Sequence, residues 1–124
     1  MRKLMILAGF GLAVMAGLMA LSGVCYAQKF PDRPVTVVVN FGAGGSADVA
    51  VRLLGPIVEK KLGVPLIVEN RVGGGGTTAI AYLAKQKNDG YTIGTTSMSA
   101  MVVYPMMQKT PYDPFKDFEY ICGF

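Results

Sequence analysis

The chain contains no histidine and no tryptophan, and it has only two cysteines, Cys25 and Cys122, far apart in sequence. Without histidine, and without closely spaced cysteines, metal centres built from imidazole or paired thiolates are excluded. Nucleophilic triads that depend on an imidazole base go with them. Charge is also scarce: Asp, Glu, Lys and Arg make up 16% of the residues, against about 25% in an average domain. The formal net charge of +4 includes Arg2 and Lys3, so Gln28–Phe124 carries only +2. No basic run exceeds the pair Lys60-Lys61, which argues against a nucleic-acid surface. A length of 124 residues suits one domain and not two. These absences favour binding over chemistry, with no cofactor and no metal called for.

What is present begins with a dense apolar run. From Leu4 to Leu21 every residue is apolar or glycine, behind the positive pair Arg2-Lys3. Cys25-Tyr26-Ala27 then offers small residues at the −3 and −1 positions of a cleavage after Ala27, the pattern of a secretory signal peptide. The other reading is a retained membrane anchor, because the run sits at the lower limit for crossing a bilayer. On the signal-peptide reading residues 1–27 are the leader, the mature chain is Gln28–Phe124, and the compartment is the periplasm. Cleavage would leave Cys122 without an intramolecular partner.

The mature sequence alternates short strands with helices. Val35–Asn40 is a β-branched run suited to a strand buried on both faces. Asp48–Leu62 has helical periodicity, with Ala50, Leu53, Leu54, Ile57, Val58 and Leu62 expected inward. Gly55-Pro56 is expected to kink or break that helix, and Gly63 to cap it. Pro65–Glu69 reads as a second strand, and Thr77–Lys87 as a second helix with Ile80, Ala81 and Ala84 inward. The Asn88-Asp89-Gly90 turn leads to a third strand, Tyr91–Thr96. The fold class is α/β: a βαβαβ unit whose right-handed crossovers give a parallel sheet in the order 2-1-3.

That topology points to a site. In open parallel sheets ligands sit beyond the carboxyl ends of the strands, where the strand order reverses. The loops meeting there are Phe41–Ala47 (FGAGGSA) and Ser97–Ala100 (SMSA). Gly42, Gly44 and Gly45 let the backbone turn sharply and approach a ligand. The loop enters a helix whose free N–H groups favour a carboxylate or phosphate, and Ser46, Thr96, Ser97 and Ser99 add hydroxyl donors. Ser46 or Asp48 could equally serve as the helix cap. An acid so near the helix start opposes a directly bound anion, which assigns Asp48 to orienting the loop or acting through water. Gly73–Gly76 is either a lid or a flexible connection. Met98, Met101, Met106 and Met107 read as packing residues, and Glu69/Arg71 as a surface ion pair.

One rival pattern overlaps the first loop. Gly42–Ala47 fits G-x-G-x-x-A between a strand and a helix, and Glu69 ends the second strand where a dinucleotide fold places its ribose-binding acid. The export signal and Asp48 stand against this exported dinucleotide-binding reading. No Gly-Lys-Ser/Thr follows the glycines, so a Walker A loop is excluded.

Five ordered blocks carry a broader likeness: Phe30–Val35, Phe41–Asp48, Val68–Arg71 with the glycines after it, Asp89–Thr92 and Pro111–Phe118. Together, over Lys29–Phe124, they resemble the tripartite tricarboxylate transporter solute receptors, the Bug-type periplasmic binding proteins. The resemblance implies a two-lobed type II periplasmic-binding-protein fold, with this chain supplying part of the first lobe. It also implies a non-enzymatic receptor, monomeric at full length, that closes on a small carboxylate and delivers it to membrane permease subunits. Carried over by motif, the carboxylate would meet Phe41, Gly42, Ala43, Gly44, Gly45 and Ser46 with Asp48, and Thr96, Ser97 and Ser99, partly through ordered water. Two departures stand out. Tyr104-Pro105 replaces the usual Asn-Pro step after the Ser/Thr loop, and family members continue well past Phe118. Ile121–Phe124 reads as strand interior heading toward a second lobe, so Gln28–Phe124 is expected to be an N-terminal portion.

Overall fold

The computed structural model describes residues 29–123; the leader and its cleavage site lie outside them. Val35–Val39 forms β1, Leu66–Asn70 β2 and Thr92–Gly94 β3, in one parallel sheet of order β2-β1-β3. The register runs from Val35 opposite Leu66 to Val39 opposite Asn70, and from Thr36 opposite Thr92 to Val38 opposite Gly94. As the central strand, β1 is covered on both faces, and Val35, Val37, Val38 and Val39 are all buried. β3 is shorter than the expected Tyr91–Thr96. Pairing nevertheless continues past its end, where the Thr95 N–H donates to Val38 O at 2.9 Å.

The helix α1 spans Ser46–Leu62 and runs unbroken through Gly55-Pro56, correcting the expected break. Pro56 lacks an N–H, so one i→i−4 bond is lost, while the remaining bonds continue the helix on either side. Gly63 ends it in the left-handed region at φ 75°, with its N–H donating to Glu59 O at 2.8 Å. The expected inward stripe is overturned. Leu53 is 71% exposed, and Leu54, Ile57 and Val58 are exposed as well. The buried residues of α1 are Asp48 and Gly55, and the Glu59 carboxylate accepts the Leu66 N–H at 2.7 Å. Asp48 and Glu59 therefore carry the bonds to β2, Ala50 and Leu62 are half-buried, and Leu53, Leu54, Ile57 and Val58 look outward.

The helix α2, Thr77–Leu83, is shorter than the expected Thr77–Lys87. Its end tightens into three-residue bonds, Lys85 N–H to Tyr82 O at 3.1 Å and Gln86 N–H to Leu83 O at 2.9 Å. Ile80 is fully buried and packs with Ala100, Met101 and Tyr112, flanked by Ala81, Leu83, Ala84 and Phe118. Gly94 leaves room for this layer: a Cβ there would run into the Leu83 side chain.

The segment after β3 is more ordered than its sequence suggested. Ser99–Val103 winds as a π-helical turn in which the Tyr104 N–H reaches Ser99 O, five residues back. Tyr104–Met107 follows as α3, with Pro105 in its first turn. Of the four methionines expected to pack, only Met101 is buried; Met98, Met106 and Met107 project outward. The Tyr112 hydroxyl donates to Ala100 O and ties the later segment to this turn. Ile121–Gly123 forms no strand, against expectation. Among the described residues no helix is long and apolar enough to cross a membrane.

Candidate functional site

The loop between β1 and α1 is held by side chains from two elements. Asp48, 2% exposed, accepts the Gly44 N–H at 2.9 Å on Oδ2. The Arg52 guanidinium, one helical turn on, donates from Nε to both Asp48 oxygens at 3.0 Å. Asn70, the last residue of β2, donates from Nδ2 to Asp48 Oδ1 at 2.9 Å and to Phe41 O at 3.1 Å. Its Oδ1 accepts from Arg52 Nη2 at 3.2 Å. The Arg52 hydrogen bond, then the Gly44 N–H, then Asn70 pull the Asp48 carboxyl down to about 2, against the opposing effect of burial. Asp48 is ionised and matched by Arg52, so its charge does not stand unopposed beside the loop.

The same geometry sorts the loop's donors. The Gly44 N–H is committed to Asp48, and the Gly45 N–H donates to Gly42 O at 3.1 Å. Among the described residues the N–H groups of Gly42 and Ala43 have no hydrogen-bond partner. Gly44 sits at φ 81°, the one left-handed position of the loop, where glycine is the residue without a steric penalty. Gly45 is the helix N-cap and no side chain caps it; Ser46 is the first helical residue, which corrects its capping assignment. Ser46 and Phe41 are both exposed.

Across the sheet edge, Asn40 is 1% exposed and joins the two loops. Its Oδ1 accepts the Thr95 hydroxyl at 3.1 Å, and its Nδ2 donates to Ser97 Oγ at 3.4 Å. Ser97 Oγ also accepts the Ala100 N–H at 3.3 Å and lies 2.9 Å from Ser99 Oγ. Thr96 is exposed and takes no part in this cluster. Gly76 closes its back: its φ is 96°, and a Cβ there would lie 2.7 Å from Asn40 Nδ2. Gly73–Gly76 forms a turn between β2 and α2 in which Gly76 is buried, and a Cβ at Gly75 would press on the Tyr104 ring.

Of the ten residues singled out in the sequence, the Gly loop and the Ser97/Ser99 pair both stand at the carboxyl ends of adjacent strands. No hydrogen bond among the described residues links the two groups directly; Asn40 is the joint. Asn40, Asn70, Arg52 and Thr95 were not foreseen. The Asp48/Arg52 spacing of four was the one local signal available. Glu69 is engaged by Arg71 at 2.6 Å, as a partly exposed ion pair, and Arg71 lies over the Tyr82 ring at 3.5 Å. The acid of the dinucleotide pattern is thus already paired. A shallow hollow formed by Lys29, Phe30, Asp32, Arg33, Asp89 and Tyr91 lies at the opposite, amino end of the sheet. Two pairs bridge its wall: Arg33 meets Asp89 at 3.0 Å, and the Tyr91 hydroxyl donates to Asp32 at 2.6 Å.

Comparison with known proteins agrees with this architecture. Residues 50–124 match the model of the tripartite tricarboxylate transporter family receptor. The chain is 40% identical over 119 residues to the UPF0065 protein in the gbd 5' region of Cupriavidus necator, covering 94% of this chain and 36% of the relative. Protein BugT of Bordetella pertussis is 37% identical over 111 residues, covering 86% of this chain and 34% of BugT. Among solved structures, MatC from Rhodopseudomonas palustris with bound malate superposes with a TM-score of 0.66 at 39% identity, over 72% of this chain and 31% of MatC. The chain spans about a third of the length of these relatives. Five motif blocks, a matching sheet and the family model converge, and the chain belongs to the tripartite tricarboxylate transporter receptor family.

Proposed function

We propose that this chain supplies the first-lobe half of a receptor site that captures a small carboxylate in the periplasm for a tripartite tricarboxylate-type transporter. The carrying observation is the donor set at the carboxyl ends of β1 and β3. The uncommitted N–H groups of Gly42 and Ala43 stand on one side of Asn40 and the Ser97/Ser99 hydroxyls on the other. All are neutral, and the one acid beside them is matched by Arg52. Such a set suits a carboxylate that must be released again, since neutral donors hold it without a fixed ion pair. The malate bound to MatC supports the same ligand class. Residues 1–27 serve as the export signal on this reading, the closing lobe comes from beyond the described residues, and hinge closure presents the loaded receptor to the permease. Phe41 and Ser46 border the carboxylate, Gly44, Gly45 and Asp48 shape the loop, and Thr96 flanks the hydroxyl pair.

The dinucleotide alternative is not favoured: Glu69 is paired with Arg71, and the matching family model is that of a transporter receptor. Calorimetric titration of the full-length receptor containing this chain with malate, with NAD as the counter-ligand, tests the choice. Saturable heat with malate and none with NAD is expected. The reverse would reinstate the dinucleotide reading.

A further inference from the structure

The neutral donors of the Gly loop lie beside apolar surface that the fold leaves open. Val72 follows Arg71, whose N–H donates to Val39 O at 2.9 Å, so it stands just beyond the carboxyl end of β1. There it adjoins the loop: a Cβ at Gly42 would lie 3.8 Å from Val72 Cγ1, ordinary van der Waals contact. Because Gly42 has no side chain, nothing at that position covers the Val72 methyl, and Val72 is 61% exposed. Phe41, next to Gly42, and Met98, between Ser97 and Ser99 in sequence, are exposed as well. The polar side chains nearby are already committed. Arg52 is engaged by Asp48, and Arg71 by Glu69 and the Tyr82 ring. Asn40 is bonded to Thr95 and Ser97, and Asn70 to Asp48 and Phe41 O. Hydrocarbon laid against such a surface is stabilised by leaving water. A hydroxyl laid there loses its water without gaining a partner.

We propose that the site selects carboxylates with a hydrocarbon body, alkyl or aromatic, over polyhydroxylated ones, and that Val72 is a specificity-determining residue. This rests on the carboxylate reading above. The donors of the two loops are taken up by one carboxylate, and Ser46 and Thr96 stand at its border on the same reading. A carboxylate held at the Gly42 N–H brings the carbons behind it against the Val72 methyls, since Val72 is in contact range of the Gly42 Cα substituent position. The ligand body therefore meets valine methyls and not a hydrogen-bonding side chain.

Calorimetric titration of the full-length receptor containing this chain tests it with two diacids of equal length and charge. Adipate has an unsubstituted methylene chain, and galactarate carries a hydroxyl on each of the same carbons. Adipate should bind about 10-fold or more tighter, the worth of roughly two buried methylene groups. Val72→Thr keeps the shape of the side chain and adds a hydroxyl. It should narrow the adipate-to-galactarate ratio about 3-fold or more, within the range for a methyl group withdrawn from contact, without shifting the urea midpoint. Val72→Ile, which stays apolar, should keep the ratio. Galactarate binding as tightly as adipate, or tighter, would overturn the proposal while leaving the carboxylate reading intact. A ratio unchanged in Val72→Thr would overturn the role given to Val72. Failure of adipate, galactarate and malate alike to bind would strike the carboxylate reading and this proposal with it.

Discussion

Asp48 Oδ2 accepts the Gly44 backbone N–H at 2.9 Å, and that bond fixes the shape of the loop between β1 and α1. It reaches backward from the first turn of α1 to the residue just before the N-cap, so helix and loop are set by one carboxylate. Arg52 and Asn70 hold that carboxylate from the other side. Loop geometry and local stability are thereby linked through a residue that contributes no free donor of its own.

The pH dependence follows from this linkage. The Asp48 carboxyl falls from its ordinary 3.8 to about 2 on folding, chiefly through Arg52 and the Gly44 N–H. A lowered folded-state value stabilises the fold fully above the unfolded value and loses that stabilisation as pH falls through the folded one. Urea midpoints should therefore hold at pH 5 and decline between about pH 4 and 2. Asp48→Asn should lower the midpoint at pH 5 and flatten that decline. An equally steep decline in the variant would assign the acid sensitivity to other carboxylates.

Gly76→Ala should be costly for two reasons, its φ of 96° and the 2.7 Å approach to Asn40 Nδ2. A loss of about 1–3 kcal/mol is expected for such a forced left-handed position, read from chemical denaturation. Gly55→Ala, whose added Cβ meets nothing within 4 Å, should by contrast be neutral or mildly stabilising in the helix interior.

How far the sequence reveals the molecule is seen best in α1. Helical periodicity located the helix and Gly63 located its end, because both depend on neighbours a few residues apart. The direction of its apolar stripe was misread: periodicity shows that a face is apolar, not what lies against it, and here Asp48 and Glu59 are the residues bonded to β2. The Gly loop and the Ser97/Ser99 pair were legible because strand order alone brings them to one edge. Asn40 and Asn70 were not, because each acts through partners at least 20 residues away, with one exception, their contacts within the sheet edge being set by register rather than by local pattern.

The orientation of α1 yields its own check. Leu53→Ser should change stability by less than about 0.5 kcal/mol, the usual range for an exposed position, since Leu53 is 71% exposed. Ile80→Ala, in the buried cluster with Met101 and Tyr112, should cost about 2–5 kcal/mol. Comparable losses at both positions would show that the outward stripe is covered.

Tyr112→Phe removes the hydroxyl that donates to Ala100 O and should cost about 1–3 kcal/mol by leaving a buried carbonyl unpaired. Thermal melting of the variant measures it, and an unchanged melt would mean that the contact contributes nothing to the fold.

The central claim is that a carboxylate sits at the carboxyl ends of β1 and β3. Backbone amide shifts of this segment within the full-length receptor, followed during titration with malate, test it most directly. The largest changes should fall on Gly42, Ala43, Ser97 and Ser99, with little at Arg33, Asp89 and Tyr91. Saturable changes centred on Arg33, Asp89 and Tyr91, at the amino end of the sheet, would contradict it.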